Sequence, residues 1–229
     1  MFDSFTLVAA TADLADEPAA RGVADLVEFR MDMASDPLAQ LAAYDGDLPL
    51  LVTNRPAWEG GDAEGGEKRL EALAAAVGNE MVAAVDVELA VLRRGGDLGA
   101  AADTVVSEAD ALGVETVVSV HDFTGTPSER TMASLLTAAS TAGDVGKLAV
   151  TAESRTDALA LLSATHATAA TGERVATMAM GDAGRHTRAV APVYGSRIGY
   201  APVRAADATA PGQYDLETLA ELVADLGGA

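Results

Sequence analysis

The sequence predicts an α/β fold, a (β/α)8 TIM barrel formed as a single domain over residues 1–229. Three observations support this. Eight short apolar segments recur along the chain, helix-like segments lie between them, and the length of 229 residues suits one such barrel.

The strand candidates are Thr6–Ala10, Leu26–Met31, Leu48–Thr53, Met81–Val87, Thr116–His121, Gly146–Val150, Arg174–Met180 and Ser196–Tyr200. Each is mostly continuous in its hydrophobicity, as a parallel strand covered by helices must be. Helices are expected from Asp36 to Tyr44, Gly66 to Val77 and Ser154 to Thr168. The stretch from Leu89 to Leu112 reads as two helical pieces broken at Gly95-Gly96. Thr126 reads as an N-cap, with Pro127 at the first helical position and Glu129 at N3. Met132, Leu135, Leu136 and Ala139 then repeat at helical spacing. The last helix carries Leu216, Leu219, Leu222, Val223 and Leu226 and ends at Gly227-Gly228. An open doubly wound sheet is the competing fold, but no glycine-rich dinucleotide fingerprint follows the first strand. No linker divides the chain.

Composition narrows the function. Apolar residues make up 49 % of the chain and aromatics only 4 %, so Ala, Val and Leu must fill the core. No apolar run of about 18 residues is free of charge, so no transmembrane helix is expected. Met1 to Asp16 lacks a basic segment and carries acids, unlike a signal peptide. The absence of cysteine excludes disulfides, thiolate nucleophiles and cysteine metal sites, and suits a reducing cytoplasm. Thirty-five acids against 15 bases give a formal charge of -20, which disfavours nucleic acid and anionic membranes as partners. The acids are spread along the chain, the pattern of a solvated shell adapted to high salt.

Only two of the bases, Lys68 and Lys147, are lysines. Lys68 opens a polar helix and reads as a surface charge. Lys147 sits within the apolar run Val145 to Val150. Burial and nearby arginines would lower its pKa, and a neutral amine can attack a ketone to form an imine. Arginine cannot, because it keeps its proton. A structural lysine paired with Glu28 or Asp86 is the equal alternative at this point.

A barrel gathers its active site at the C-terminal ends of its strands. Chemistry-bearing residues fall there: Glu28 to Asp32, Thr53 to Arg55 followed by Glu59-Gly60-Gly61, Asp86 to Glu88, Ser119 to Phe123, and Met178 to Gly181 followed by Arg188. His121 ends the strand before that of Lys147, and its pKa range suits taking and returning a proton. His166 and His186 read as helix and loop residues. Arg30, Arg55 and Arg188 would converge on one mouth and bind a small anionic keto substrate. Glu28 would accept from substrate hydroxyls or offset the arginines.

These motifs, in this order from residue 28 to residue 213, resemble those of the type I 3-dehydroquinate dehydratases, the Schiff-base class of the shikimate pathway. Asp86 with Glu88, Lys147-Leu148-Ala149 and Ala210-Pro211-Gly212-Gln213 complete the set. The resemblance implies a salt-adapted, archaeal-like lyase that converts 3-dehydroquinate to 3-dehydroshikimate without a cofactor or metal. Lys147 would form the imine, His121 would shuttle the proton, and Glu59 would orient His121. Glu28, Arg30 and Arg55 would bind ring hydroxyls and Arg188 the carboxylate. Thr209 and Gln213 would lie on a loop that closes over the substrate. A cytoplasmic homodimer is also implied. Thr187 and Thr209 stand where the family usually has Ser, and the first strand ends in Ala9-Ala10 with no hydroxyl to offer. Three alternatives remain: a Schiff-base aldolase, a metal-dependent barrel enzyme using Glu28, Asp86, Glu88 and His121, and a barrel retained only for ligand binding.

Overall fold

The computed structural model describes residues 1–204 and 212–227. Among these residues the strands are β1 (Thr6–Thr11), β2 (Leu26–Arg30), β3 (Leu50–Thr53), β4 (Val82–Glu88), β5 (Glu115–Asp122), β6 (Val145–Thr151), β7 (Val175–Met180) and β8 (Ile198–Pro202). The helices are α1 (Pro37–Ala42), α2 (Glu67–Val77), α3 (Leu89–Leu92), α4 (Gly96–Leu112), α5 (Glu129–Ala142), α6 (Arg155–Ala169), α7 (Thr187–Val190) and α8 (Leu216–Asp225).

The eight strands run parallel in the order β7-β6-β5-β4-β3-β2-β1-β8. Strand β1 pairs with both β2 and β8, which curls the sheet. The remaining seam, between β7 and β8, is joined by a bridge from Val175 to Ser196. There Arg197 N donates to Val175 O at 2.7 Å, and Thr177 N donates to Ser196 Oγ at 2.9 Å. The barrel is therefore nearly closed.

The pleat divides the strand residues into two sets, because successive side chains point to opposite faces. Leu7, Ala9, Val27, Phe29, Val52 and Val85 face outward and pack with Leu70 and Leu73 of α2 and Leu219 of α8. On the other side, Leu148 and Val150 pack with Met132, Leu136 and Leu161. The inward set starts as an apolar plug of Phe2, Val8, Leu26, Leu51, Ala84, Val117, Val145 and Ala176. Two residues further along the strands, the same parity reads Glu28, Thr53, Asp86, Ser119, Lys147 and Met178. Two further still, it reads Arg30, Arg55, Glu88, His121, Ala149 and Met180. Period-two alternation thus turns an apolar floor into a polar mouth at the strand C-termini.

All eight predicted strands are present, with ends shifted by at most two residues. Leu89 to Leu112 is two helices, and Gly95 and Gly96 at the break have φ of +69° and +64°, a backbone that side-chained residues resist. The α5 cap differs from the expectation. Ser128, not Thr126, is the N-cap, and its side chain accepts from Thr131 N. Thr126 Oγ1 donates instead to Thr151 O, across to the end of β6, at 2.8 Å. β1 also continues past Ala9-Ala10 to Thr11, so a hydroxyl does end the strand; it is engaged by Asp13 and Asp16. Short helical turns at Leu14–Ala19, Ala57–Glu59 and Ala191–Tyr194, and α7, were not foreseen.

Candidate active site

Lys147 lies at the third position of β6, below the rim, and is 3 % exposed. Its Nζ donates to Asp86 Oδ2 at 2.8 Å and lies 4.0 Å from Glu28 Oε1. Burial lowers the ammonium's pKa; Asp86 partly restores it and Arg55 lowers it again. The net direction is downward, as the sequence implied. The alternative of a structural pair with Asp86 is present in the same geometry.

Asp86 is the hub of this floor. It also accepts from Ser119 Oγ at 2.6 Å and from Arg55 Nη2 at 3.1 Å. Burial alone would raise its pKa, but Lys147 and Arg55 outweigh that and hold it ionised far below the usual carboxylate range. Thr53 Oγ1 donates to Glu28 Oε1 at 2.9 Å, which orients that carboxylate. Arg30 is held by Asp32 through two hydrogen bonds, at 2.9 and 2.7 Å.

His121 and Glu59 meet across the mouth. Nδ1 of the imidazole lies 2.7 Å from Glu59 Oε2, and Phe123 stacks beside the ring at 6.0 Å. Glu59 comes from the loop after β3. That loop turns at Gly60, with φ of +76°, and folds so tightly that a Cβ on Gly61 would lie 2.1 Å from Arg55 O. The glycine pair therefore delivers Glu59 over β5. Burial raises Glu59 to about 8, with the charge of Glu88 adding to the effect. Burial, then Arg55 and Lys147, pull His121 well below its ordinary value.

Glu28, Arg30, Arg55, His121, Lys147, Arg188 and Gln213 all line one cavity that opens to solvent. Glu59 reaches it through His121. Thr209 falls outside the described residues. Thr187 Oγ1 does not line the cavity; it donates to Gly184 O and accepts from Ala179 N on β7. Glu88 is committed elsewhere, to Arg69, which donates to it at 3.2 and 2.7 Å. Among the described residues no group of three His, Asp or Glu side chains is arranged to hold a metal ion.

Arg188 is distinctive. It is 5 % exposed, makes no ion pair among the described residues, and its buried Nε lacks a partner. Desolvation lowers its pKa to about 10. A buried, unpaired guanidinium at a cavity wall is suited to an anion. Sequence reasoning did not assign roles to Ser119 or Tyr200, although both share the inward parity of Lys147. The Tyr200 ring centroid lies 4.2 Å from Lys147 Nζ.

Comparison with known proteins shows the family. Residues 5–228 match the family model for type I 3-dehydroquinase. The 3-dehydroquinate dehydratase of Haloarcula marismortui is 60 % identical over 225 residues, covering 98 % of this chain and 97 % of that protein. That of Halobacterium salinarum is 54 % identical, covering 98 % and 99 %. The crystal structure of 3-dehydroquinate dehydratase from Geobacillus kaustophilus superposes with a TM-score of 0.85 at 27 % identity, covering 98 % of this chain and 92 % of the other. The chain, an α/β barrel with a lysine at its core, belongs to the type I 3-dehydroquinase family.

Proposed function

We propose that this protein dehydrates 3-dehydroquinate to 3-dehydroshikimate in the shikimate pathway through an imine on Lys147. The observation that carries this reading is a buried lysine of lowered pKa one strand away from a His–Glu dyad, in a cavity that also holds Arg188, which makes no ion pair among the described residues. The type I family identity supports the same chemistry.

The neutral Lys147 amine attacks the C3 ketone, and the carbinolamine takes up one proton and loses water to give a protonated imine, the proton being released again when the imine is hydrolysed. That cation draws electrons from C2 and acidifies its proton. His121 Nε2 takes the C2 proton, with Glu59 holding Nδ1. The enamine then expels the C1 hydroxyl, which leaves as water with the proton that His121 returns. Hydrolysis of the conjugated imine frees the lysine and the product. Arg188 binds the carboxylate through charge-assisted hydrogen bonds, while Glu28, Arg30 and Arg55 engage ring hydroxyls. Gln213 lies on the cavity wall, and Thr209 is assigned with it to the closing loop. No cofactor takes part.

Borohydride reduction in the presence of 3-dehydroquinate, followed by mass spectrometry, tests the reading. An adduct on Lys147 is expected, and none in Lys147→Ala. Absence of the adduct together with full activity in Lys147→Ala overturns it.

We also assign the enzyme to the cytoplasm as a homodimer. The lack of cysteine supports the compartment. Exposed Leu159 lies two turns from His166 on α6, and Tyr194 packs edge-on against His166, so apolar side chains gather on one outer face. The mass in solution tests the dimer.

A further inference from the structure

Two inward-facing hydroxyls beside Lys147 have partners among the described residues, and a third does not. Thr53 donates to Glu28, and Ser119 donates to Asp86. Tyr200 on β8 is 5 % exposed, and its hydroxyl has no hydrogen-bond partner among the described residues. The side chain lines the main cavity, whose wall it shares with Met178 and Arg188. Its ring lies under Lys147 Nζ, at 4.2 Å from nitrogen to centroid.

A buried hydroxyl that has lost its water and gained nothing in return weakens the folded state. A phenylalanine here would offer the same ring face to Lys147 without that loss. Burial, reinforced by the nearby negative charges of Glu28 and Asp86, keeps the phenol protonated, so it is available as a neutral donor. The acceptor it lacks must come from whatever fills the cavity.

We propose that Tyr200 is a further substrate-binding residue, its hydroxyl donating to an oxygen substituent on the ring of the keto acid held at Lys147. The inference rests on the reading of the site as an imine-forming dehydratase. Its ring packs against the lysine nitrogen both before and after that nitrogen carries the substrate, and its hydroxyl gains a partner only in the complex. The residue thus favours the liganded state over the free one.

Tyr200→Phe separates this from a structural role, because the two give opposite signs. Without ligand, the variant is expected to melt at the same temperature as the parent or higher. With 3-dehydroquinate, KM is expected to rise about tenfold, the scale of one neutral hydrogen bond, while kcat falls less than threefold. Borohydride should still trap the adduct on Lys147 at saturating substrate. An unchanged KM overturns the inference. So does a fall of several degrees in the ligand-free melting temperature, which would show that the hydroxyl is partnered within the protein. If the parent enzyme traps no adduct and has no turnover, the dehydratase reading fails and takes this inference with it. If the parent traps the adduct and Tyr200→Phe keeps its KM, only the Tyr200 assignment fails.

Discussion

Replacing Glu59 with Gln should remove the ionisation that governs activity on the acid side. With burial and Glu88 raising it to about 8, Glu59 keeps its proton at neutral pH and shares it with Nδ1 of His121. The imidazole, whose own pKa is pulled far down, then carries its N–H on Nε2. That nitrogen must be free to take the C2 proton. Loss of one proton from the dyad leaves Glu59 ionised, Nδ1–H donating to it, and the Nε2 lone pair open. The value near 8 belongs to the coupled pair and not to either residue alone. In the parent, kcat/KM should therefore climb about tenfold per pH unit until about pH 8 and then level. In Glu59→Gln the limb should move below about pH 6.5, with a lower plateau.

The same protons set a stability slope. Above pH 6.5 the folded dyad holds one proton, on Glu59, and the unfolded chain holds none. Stability therefore falls as pH rises, at about 1.4 kcal/mol per unit, or roughly 2 kcal/mol between pH 6.5 and 8. Between about 4.5 and 6.5 each state holds one proton, on Glu59 when folded and on His121 when unfolded, and the dyad adds no slope. Below about 4.5 the unfolded chain binds the second proton and stability falls again. Melting temperature against pH should thus drop by roughly 4–8 °C from pH 6.5 to 8 in the parent and stay flatter in Glu59→Gln. A parent activity limb near pH 4–5, or one near 8 that persists in the variant, refutes the assignment.

Asp86→Asn should destabilise strongly, since it strips the charge that Lys147 and Arg55 share in the interior. Breaking such a buried pair costs roughly 3–5 kcal/mol, or about 6–20 °C in melting temperature; a shift under about 2 °C in calorimetry contradicts the hub role. Arg188→Gln should raise KM by roughly 100-fold while leaving the ligand-free melting temperature level or higher, because it removes an unpaired buried charge. An unchanged KM would remove Arg188 from the carboxylate site. With a formal charge of -20, the protein should melt higher at molar KCl than at about 0.1 M, where like charges still repel across about 10 Å. A melting temperature that does not rise with salt rejects the salt-adapted reading.

Strands were legible because each is covered on both faces, so its apolar run is uninterrupted from Val117 to Val118 or from Leu50 to Val52. Their ends were less so. β5 runs on past His121 to Asp122, and β6 through Thr151, because parallel pairing to the neighbour continues where the side chains have already turned polar. The α5 cap went to Ser128 because Thr126 was drawn to a backbone oxygen on β6, a tertiary contact that no local pattern contains. Lys147, His121, Glu28, Arg30 and Arg55 were legible from residue type at or near a strand end, whereas Glu59 and Arg188 lie in the segments after β3 and β7 and took their roles from the family resemblance. Glu88 carried the same signal and yet faces Arg69, which comes from α2 and is remote in sequence. Tyr200 was hidden because an aromatic at the end of a strand reads as core. Only the inward parity it shares with Ile198 would have placed it in the cavity.

Under the proposed imine mechanism, the two readings of Lys147 that the sequence left open, structural partner and nucleophile, are successive states of one arrangement. As an ammonium, Lys147 is held by Asp86 at 2.8 Å on a floor where Arg55 also reaches Asp86. When the amine gives up its proton, Asp86 stays ionised, because Arg55 and the Ser119 hydroxyl still engage it. The neutral lysine therefore leaves no bare buried carboxylate behind, the usual penalty for breaking such a pair. When the protonated imine forms, the positive charge returns to the same nitrogen, within reach of the same carboxylate and over the same Tyr200 ring. The site keeps one anionic partner for both charged forms and a second cation to cover the neutral interval. An arginine at position 147 would keep the pairing and lose the cycle. A lysine without Arg55 beside Asp86 would be held as ammonium and attack slowly.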